Sequence, residues 1–240
     1  MVKFYESSYS YDYSFPAVTL AYFLRYPNPH STHVLSTDVI SRTVDPETGR
    51  LRTLRIHRKS TRLPSAVLKL LPKSVLGNVR SDRSESYILE TSEVDIKEGW
   101  MKTESRNLDW TGILSVVERQ SFQRALGKEE KEEEFSVGSG MTGVRTQVMF
   151  HSRLGDRLRA MRKGGEEEGD EEKKGWLANW STKGVQRSIE AIASRKTENQ
   201  LGKSKEGMMV VLERMRKGGL VAVLDGMRRD RELMFAGMER

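Results

Sequence analysis

The chain contains no cysteine. That excludes disulfides, cysteine-bearing zinc fingers, iron–sulfur sites and a cysteine nucleophile. It also lacks any run of roughly 18 apolar residues, so no membrane-spanning helix is expected. No basic n-region leads into an apolar core and a small-residue cleavage site, so no ordinary secretory signal is expected. The 240 residues suffice for one large domain or two small ones, with a real core. What the chain has in excess is positive charge, 41 Lys+Arg against 34 Asp+Glu, a net of +7. That excess favours an anionic partner: nucleic acid, an anionic membrane or a phosphate-bearing ligand.

The charge is unevenly spread. Residues 1–127 carry a net of +4, residues 128–174 a net of −2, and residues 175–240 a net of +5. The middle segment holds two acidic runs, Lys128 to Glu134 and Glu166 to Lys174. Such low-complexity stretches bury too little apolar surface to order themselves, and both are read as solvated insertions.

Strands are expected first and helices last. Residues 2–13 alternate aromatic and polar side chains, as a half-buried strand does. Ser14 is placed to cap a helix with Pro16 in its first turn, Ala17, Leu20, Ala21 and Leu24 on one face, and Pro27 beyond its end. Residues 32–44 and 50–59 are β-rich around the turn sequence Asp45 to Gly49; residues 84–96 and 99–107 repeat that pattern around Lys97, Glu98 and Gly99. Two further strands are expected at 112–123 and 143–152. Short links between neighbours predict an antiparallel meander. The last third is helical, with apolar stripes at Leu177, Trp180, Val185, Ile189 and Ile192 and at Met208, Val211, Leu212 and Met215. After Gly218-Gly219, Leu220, Val223, Leu224, Met227, Met234, Phe235 and Met238 are read as a third face. Between the strands, Leu63 to Lys73 is an apolar segment bounded by Pro64 and Pro72. It reads either as a short helix on the core or as a lid or membrane-touching segment.

Most catalytic motifs fail on context. Gly138 to Gly143 fits GxGxxG, but it follows an acidic loop and leads into a strand, where a dinucleotide site needs a strand before it and a helix after. His30 and His33 have no third ligand type nearby, so no metal site is expected. The strongest local chemistry is the basic run Arg50 to Arg62. On a strand, Arg55 and Lys59 share one face, and Arg52 and Arg58 share the other. The run reads as a solvated strand face, as a nucleic-acid surface that lacks stacking aromatics, or as a pocket wall. A buried cation is costly unless paired, so the pocket reading requires an anionic ligand, and Arg with Lys suits phosphate.

Arg25 to Arg42 reads RYPNPHSTHVLSTDVISR. With RLRTLRI at 50–56, RKSTRLPS at 58–65 and MKTESRNLDWTGILSVVE at 101–118, it resembles the PRELI-like family of mitochondrial lipid carriers, in its fungal phosphatidic-acid branch. The resemblance resumes at NWS (179–181) and more loosely at KSKEGMMVVLERM (203–215). It implies an α+β fold: a curved seven-stranded antiparallel sheet on a long C-terminal helix, enclosing a lipid cavity, similar to START and phosphatidylinositol-transfer domains. It implies a non-enzymatic carrier with no cofactor and no metal. Such a carrier moves phosphatidic acid from the outer to the inner mitochondrial membrane for cardiolipin synthesis. Residence in the intermembrane space, peripherally on the inner membrane, and a heterodimer with a small twin Cys-x9-Cys partner are likewise implied. The chain's own lack of cysteine agrees with a partner that supplies it.

The resemblance also implies site residues. Arg25, His33, Arg55, Lys59, Arg62 and Lys203 fall on lipid-headgroup positions. Leu63, Pro64, Val67, Leu68, Leu70 and Leu71 fall on a lid that touches the membrane. The lipid-transfer domain is expected over 1–216, with acidic insertions at 124–141 and 163–175 and an amphipathic extension at 217–240. A sibling carrier of phosphatidylserine is the alternative, and a nucleic-acid-binding or scaffold protein using the basic strand is a more distant one.

Overall fold

The computed structural model describes residues 2–62, 83–109, 111, 114–125, 140–152 and 182–236. Within these, the side chains at 2–3, 61–62, 83–84, 152 and 182–198 are not described. The expected lid, both acidic runs and the Leu177–Ile192 stripe therefore lie outside the described side chains.

The elements are β1 (Val2–Tyr11), α1 (Phe15–Phe23), β2 (Val34–Val44), β3 (Leu51–Arg62), β4 (Arg83–Asp95), β5 (Trp100–Asn107), β6 (Leu114–Arg124), β7 (Thr142–Ser152) and α2 (Thr182–Ala236). They form a seven-stranded sheet in the order β1-β7-β6-β5-β4-β3-β2, antiparallel throughout. Strands β2 to β7 make the expected meander, and β1 adds to the edge of β7. Two turns are built alike. Gly49 and Gly99 adopt φ of 69° and 70°, and their amides donate to the Asp45 and Asp95 carbonyls at 2.8 and 3.0 Å. The two Asp side chains accept from the Glu47 and Glu98 amides at 3.0 Å. An Asp that closes the turn and a Gly that tolerates the left-handed backbone explain both hairpins. Register shifts in β2, between Val34 and Ser36 and between Val39 and Ser41, increase the local twist at that edge.

Ser14 occupies the N-cap of α1, but its side chain makes no cap bond; the Val18 amide bonds to its carbonyl at 3.0 Å instead. The expected single apolar face proves too narrow. Phe15, Ala17, Val18, Ala21 and Tyr22 are all buried, because α1 is covered by the sheet on one side and α2 on another.

The interior grades along the strands. At one end, Val94, Met101, Phe122 and Val144 face Tyr11, Phe15 and the Met208, Val211, Leu212 and Met215 stripe of α2. Fully burying each such side chain contributes about 1.5–3 kcal/mol. One register step further lie inward Thr53, Ser92, Thr103, Gln120 and Thr146, all buried. The next inward row carries charge, at Arg55, Glu90 and Glu118. The row beyond it sets apolar Ile88, Val116 and Phe150 beside polar His57 and Asn107.

Helix α2 breaks at Gly218 and Gly219, the latter at φ 63° and ψ −155°. Arg214 donates to Asp230 across the break at 2.6 and 3.2 Å, so the second arm turns back on the first. Gly226 makes the approach possible, since a Cβ there would stand 2.6 Å from the Arg214 guanidinium. The third face expected from the sequence divides in two: Val223 and Met234 are buried, whereas Leu220, Leu224 and Phe235 are exposed.

Candidate functional site

The site is built around one carboxylate. Glu90 projects inward from β4, directly opposite Arg55 of β3, and is 1% exposed. Arg55 donates to Glu90 Oε1 from Nε at 2.9 Å and from Nη2 at 2.5 Å. Arg25 donates to Oε2 from Nη2, and the Tyr22 hydroxyl donates to the same oxygen at 2.9 Å. His57 Nε2 lies 3.2 Å from Oε2, while its Nδ1 lies 2.9 Å from Thr37 Oγ1. A carboxylate only accepts, so Nε2 carries the ring proton and Nδ1 accepts from Thr37.

The flanking structure holds these donors in place. Arg25 follows α1, donates to the Tyr22 carbonyl at 2.8 Å, and lies 3.7 Å from the Tyr22 ring centroid. Arg55 Nη1 reaches the Phe23 carbonyl, 3.1 Å away, near the exposed end of the helix dipole. The YPNP turn has a cis Tyr26–Pro27 bond. Asn28 donates to the Arg25 carbonyl at 2.5 Å and accepts from the His30 amide at 2.8 Å. That turn rests on α2 where Gly207 has no side chain; a Cβ there would meet Asn28 Nδ2 at 2.7 Å. His30 Nδ1 lies 3.0 Å from Glu206 of the same helix.

Electrostatics follow from burial and pairing. Burial pushes the Glu90 carboxyl up, but Arg25, the His57 hydrogen bond and Arg55 outweigh it and hold the group well below the usual carboxylate range. Burial lowers His57, and Glu90 offsets only part of that, so the imidazole is neutral at pH 7. Burial disfavours charged Arg25, yet Glu90 and the tyrosines keep it firmly protonated. Two guanidiniums against one carboxylate leave a single positive charge in excess.

Glu118 lies on the same inward row on β6, half-buried, with Gln120 Nε2 donating to it at 2.9 Å. Burial raises its carboxyl; Lys59 and Arg25 pull it down, and Glu90 adds to the rise, for a net upward shift. Lys59 itself is half-buried, on the inward face of β3 beside Val34.

The residues expected from the sequence separate accordingly. Arg25 and Arg55 come together, and Lys59 lies on the same interior surface. His33 is half-buried beside it, its carbonyl accepting from the Ser60 amide at 2.8 Å. Arg62 ends β3, and its side chain lies outside those described, as do all the expected lid residues. Lys203 is exposed on α2 and makes no contact with the cluster, while half-buried Ser204 continues the Met208–Met215 stripe at that level. The expectation that buried Arg55 needs an external anion is corrected, because Glu90 supplies that anion from within the chain. Glu90 was missed, although a signal existed. It is in phase with Val94 and Ile88, a lone acid on an inward face, and directly across from an arginine once the hairpin register is drawn.

The outer face of the sheet is different. An open groove of about 840 Å³ there is lined by side chains of both charges. Arg52 pairs with Glu93 at 3.1 Å, Arg119 with Glu104 at 2.8 Å, and Arg58 with Glu85 at 3.8 Å. The outward half of the basic strand is thus matched by acids and is no bare polyanion surface.

The fold and site define a class: an antiparallel sheet backed by a C-terminal helix, with an ion cluster and an apolar wall on its inner face. The PRELI-like family matches residues 16–139, and the chain belongs to that family. It is 40% identical over 157 residues to "Protein UPS1, mitochondrial" of Saccharomyces cerevisiae, covering 64% of this chain and 83% of that protein. It is 44% identical over 109 residues to "Protein ups1 homolog" of Schizosaccharomyces pombe, covering 45% and 57% of the two chains. It is 32% identical over 151 residues to human "PRELI domain-containing protein 1, mitochondrial", covering 62% and 65%. Among solved structures, the Zhui aromatase/cyclase of a Streptomyces aligns over 91% of this chain and 98% of that one, at TM-score 0.44 and 11% identity.

Proposed function

We propose that this chain is a non-enzymatic phospholipid carrier that moves phosphatidic acid between the outer and inner mitochondrial membranes, feeding cardiolipin synthesis. It works in the intermembrane space, peripheral to the inner membrane, as a heterodimer with a small twin Cys-x9-Cys protein. The observation that carries the reading is an inward cation that no acid among the described residues holds in an ion pair: Lys59, on the same face of β3 as the Arg55 of the Arg25–Arg55–Glu90 cluster.

A phosphomonoester suits that balance. Its second pKa is about 6, so it carries more charge than a diester headgroup and leaves no substituent to house. The cluster holds one positive charge in excess and Lys59 adds another, against the single carboxyl of Glu118. Arg25 and Arg55 are fixed by Glu90, so they are oriented before lipid arrives. Inward Ile88, Val116 and Phe150 offer an apolar wall for acyl chains. Transfer makes and breaks no bond; the protein docks, opens, exchanges lipid and releases. The segment Leu63 to Lys73 serves as the lid and first membrane contact, His33 and Arg62 flank the headgroup, and Lys203 is assigned no contact.

Liposome transfer with Lys59→Glu tests the reading. Phosphatidic acid transfer is expected to fall about tenfold or more, roughly the loss of one charged contact. The thermal midpoint, measured beside transfer, separates a lost contact from a lost fold. Undiminished transfer overturns the pocket. Running phosphatidylserine beside phosphatidic acid decides the headgroup: faster phosphatidylserine transfer selects the sibling activity.

A further inference from the structure

The second arm of α2, residues 220–236, has two distinct faces. Its inner face is occupied: Val223 is fully buried, Met234 nearly so, Gly226 seats the Arg214 side chain, and Asp230 holds the Arg214 guanidinium. Among the described residues, the fold therefore draws on one side of this arm. The other side carries Leu220, Leu224, Arg228, Arg231 and Phe235, which follow one another at the helical period and are all exposed. Leu220 is 49%, Leu224 51% and Phe235 53% exposed, and Val221, at 69%, borders them. A run of apolar side chains left in water on a short arm of helix calls for a partner.

Charge says which one. The stripe itself contains two arginines and no acid. Asp230 is turned inward to Arg214, and Asp225 and Glu232 lie at the stripe's margin. Arg216 and Lys217 stand exposed where the bend begins. Leucine and phenylalanine interleaved with long cations allow the apolar atoms to enter an acyl layer while the guanidiniums reach back to headgroups.

We propose that the outer face of this arm is a membrane-docking surface for anionic bilayers. The arm lies parallel to the bilayer, Leu220, Leu224 and Phe235 insert at the level of the headgroups, and Arg228 and Arg231 contact lipid phosphates. The Gly218-Gly219 bend and the Arg214–Asp230 pair hold the arm against the domain, so docking the arm docks the lipid-bearing domain too. The proposal does not depend on the identity of the carried lipid.

Vesicle co-sedimentation of the full chain tests it, with dioleoyl-phosphatidylcholine alone and with an equal mixture of it and dioleoyl-phosphatidylglycerol. Binding to the mixture is expected, with much less binding to phosphatidylcholine alone. Leu224→Asp with Phe235→Asp should reduce partition to the mixture about tenfold or more, and Arg228→Glu with Arg231→Glu should do the same. Leu233→Asp is the control, because Leu233 is 72% exposed on the same arm but off the stripe; it should bind within about twofold of the parent chain. Lipid retained through purification, read by native mass spectrometry, should be unchanged in all three variants, which separates this surface from the interior site. The proposal is overturned if the parent chain binds neither vesicle, if the stripe variants bind as the parent does, or if Leu233→Asp loses as much. It is equally overturned if the stripe variants abolish a self-association seen by light scattering while vesicle binding is kept.

Discussion

Arg55 and Glu90 stand directly opposite each other across β3 and β4, both almost wholly buried, with Arg55 Nε 2.9 Å from Glu90 Oε1. Arg25 and His57 converge on the other carboxylate oxygen. One carboxylate thus offsets much of the cost of burying two guanidiniums and fixes their orientation. A ligand arriving at this surface meets a site whose geometry already exists.

Replacing Glu90 removes the charge that both arginines face. Glu90→Gln should lower stability by about 3–5 kcal/mol, since it leaves buried charge without its counter-ion. Urea denaturation measures this, and an unchanged midpoint would contradict the role given to Glu90. Exchanging Glu90 and Arg55 together for apolar residues of similar size should recover part of the loss, because the second buried charge goes with the first.

Acid should weaken the fold in two stages. His57 is depressed by burial, so the folded state binds fewer protons there than the unfolded chain, whose imidazole titrates near about 6.5. Its contribution is present above that pH and fades as pH falls through the lowered folded value. Glu90 is also depressed, and its contribution is present above about 4.3 and lost at more acid pH. Thermal midpoints from pH 8 downward should decline first below the histidine range and then more steeply in the carboxylate range. His57→Gln should remove the first decline; a profile identical to that of the parent chain would sink the assignment.

The turn that carries Arg25 is seated by a missing side chain. Gly207→Ala would bring a Cβ to 2.7 Å from Asn28 Nδ2 and so push the YPNP turn away from α2. We expect a loss of about 1–3 kcal/mol, as for overpacking elsewhere. Asn28→Ala on the same background should be less costly than on the parent chain. Additive losses in a double-mutant cycle would refute the contact.

The bend in α2 is held by Arg214 and Asp230, with side-chain exposures of 23% and 7%. Arg214→Ala should free the second arm without unfolding the sheet. Hydrogen exchange should then quicken across 220–236 while β4 and β5 keep their protection. Equal protection in both chains would show that Val223 and Met234 suffice alone.

The sequence by itself determined the elements of this protein. Turn chemistry is local, so Asp45 with Gly49 and Asp95 with Gly99 announced two hairpins, and period-2 alternation placed Arg55 and Lys59 on one face. The motif at 25–42 likewise pointed to the family that residues 16–139 match. Only the tertiary structure decided who answers those cations. Glu90 is 35 positions from Arg55 and 65 from Arg25, and nothing short of the strand register brings them together. The same holds for the C-terminal arm. Helical periodicity supplied one apolar set from Leu220 to Met238, but a period cannot tell which residues meet the protein. That was settled by the bend at Gly218-Gly219, which turns Val223 and Met234 inward and leaves Leu224 and Phe235 in water.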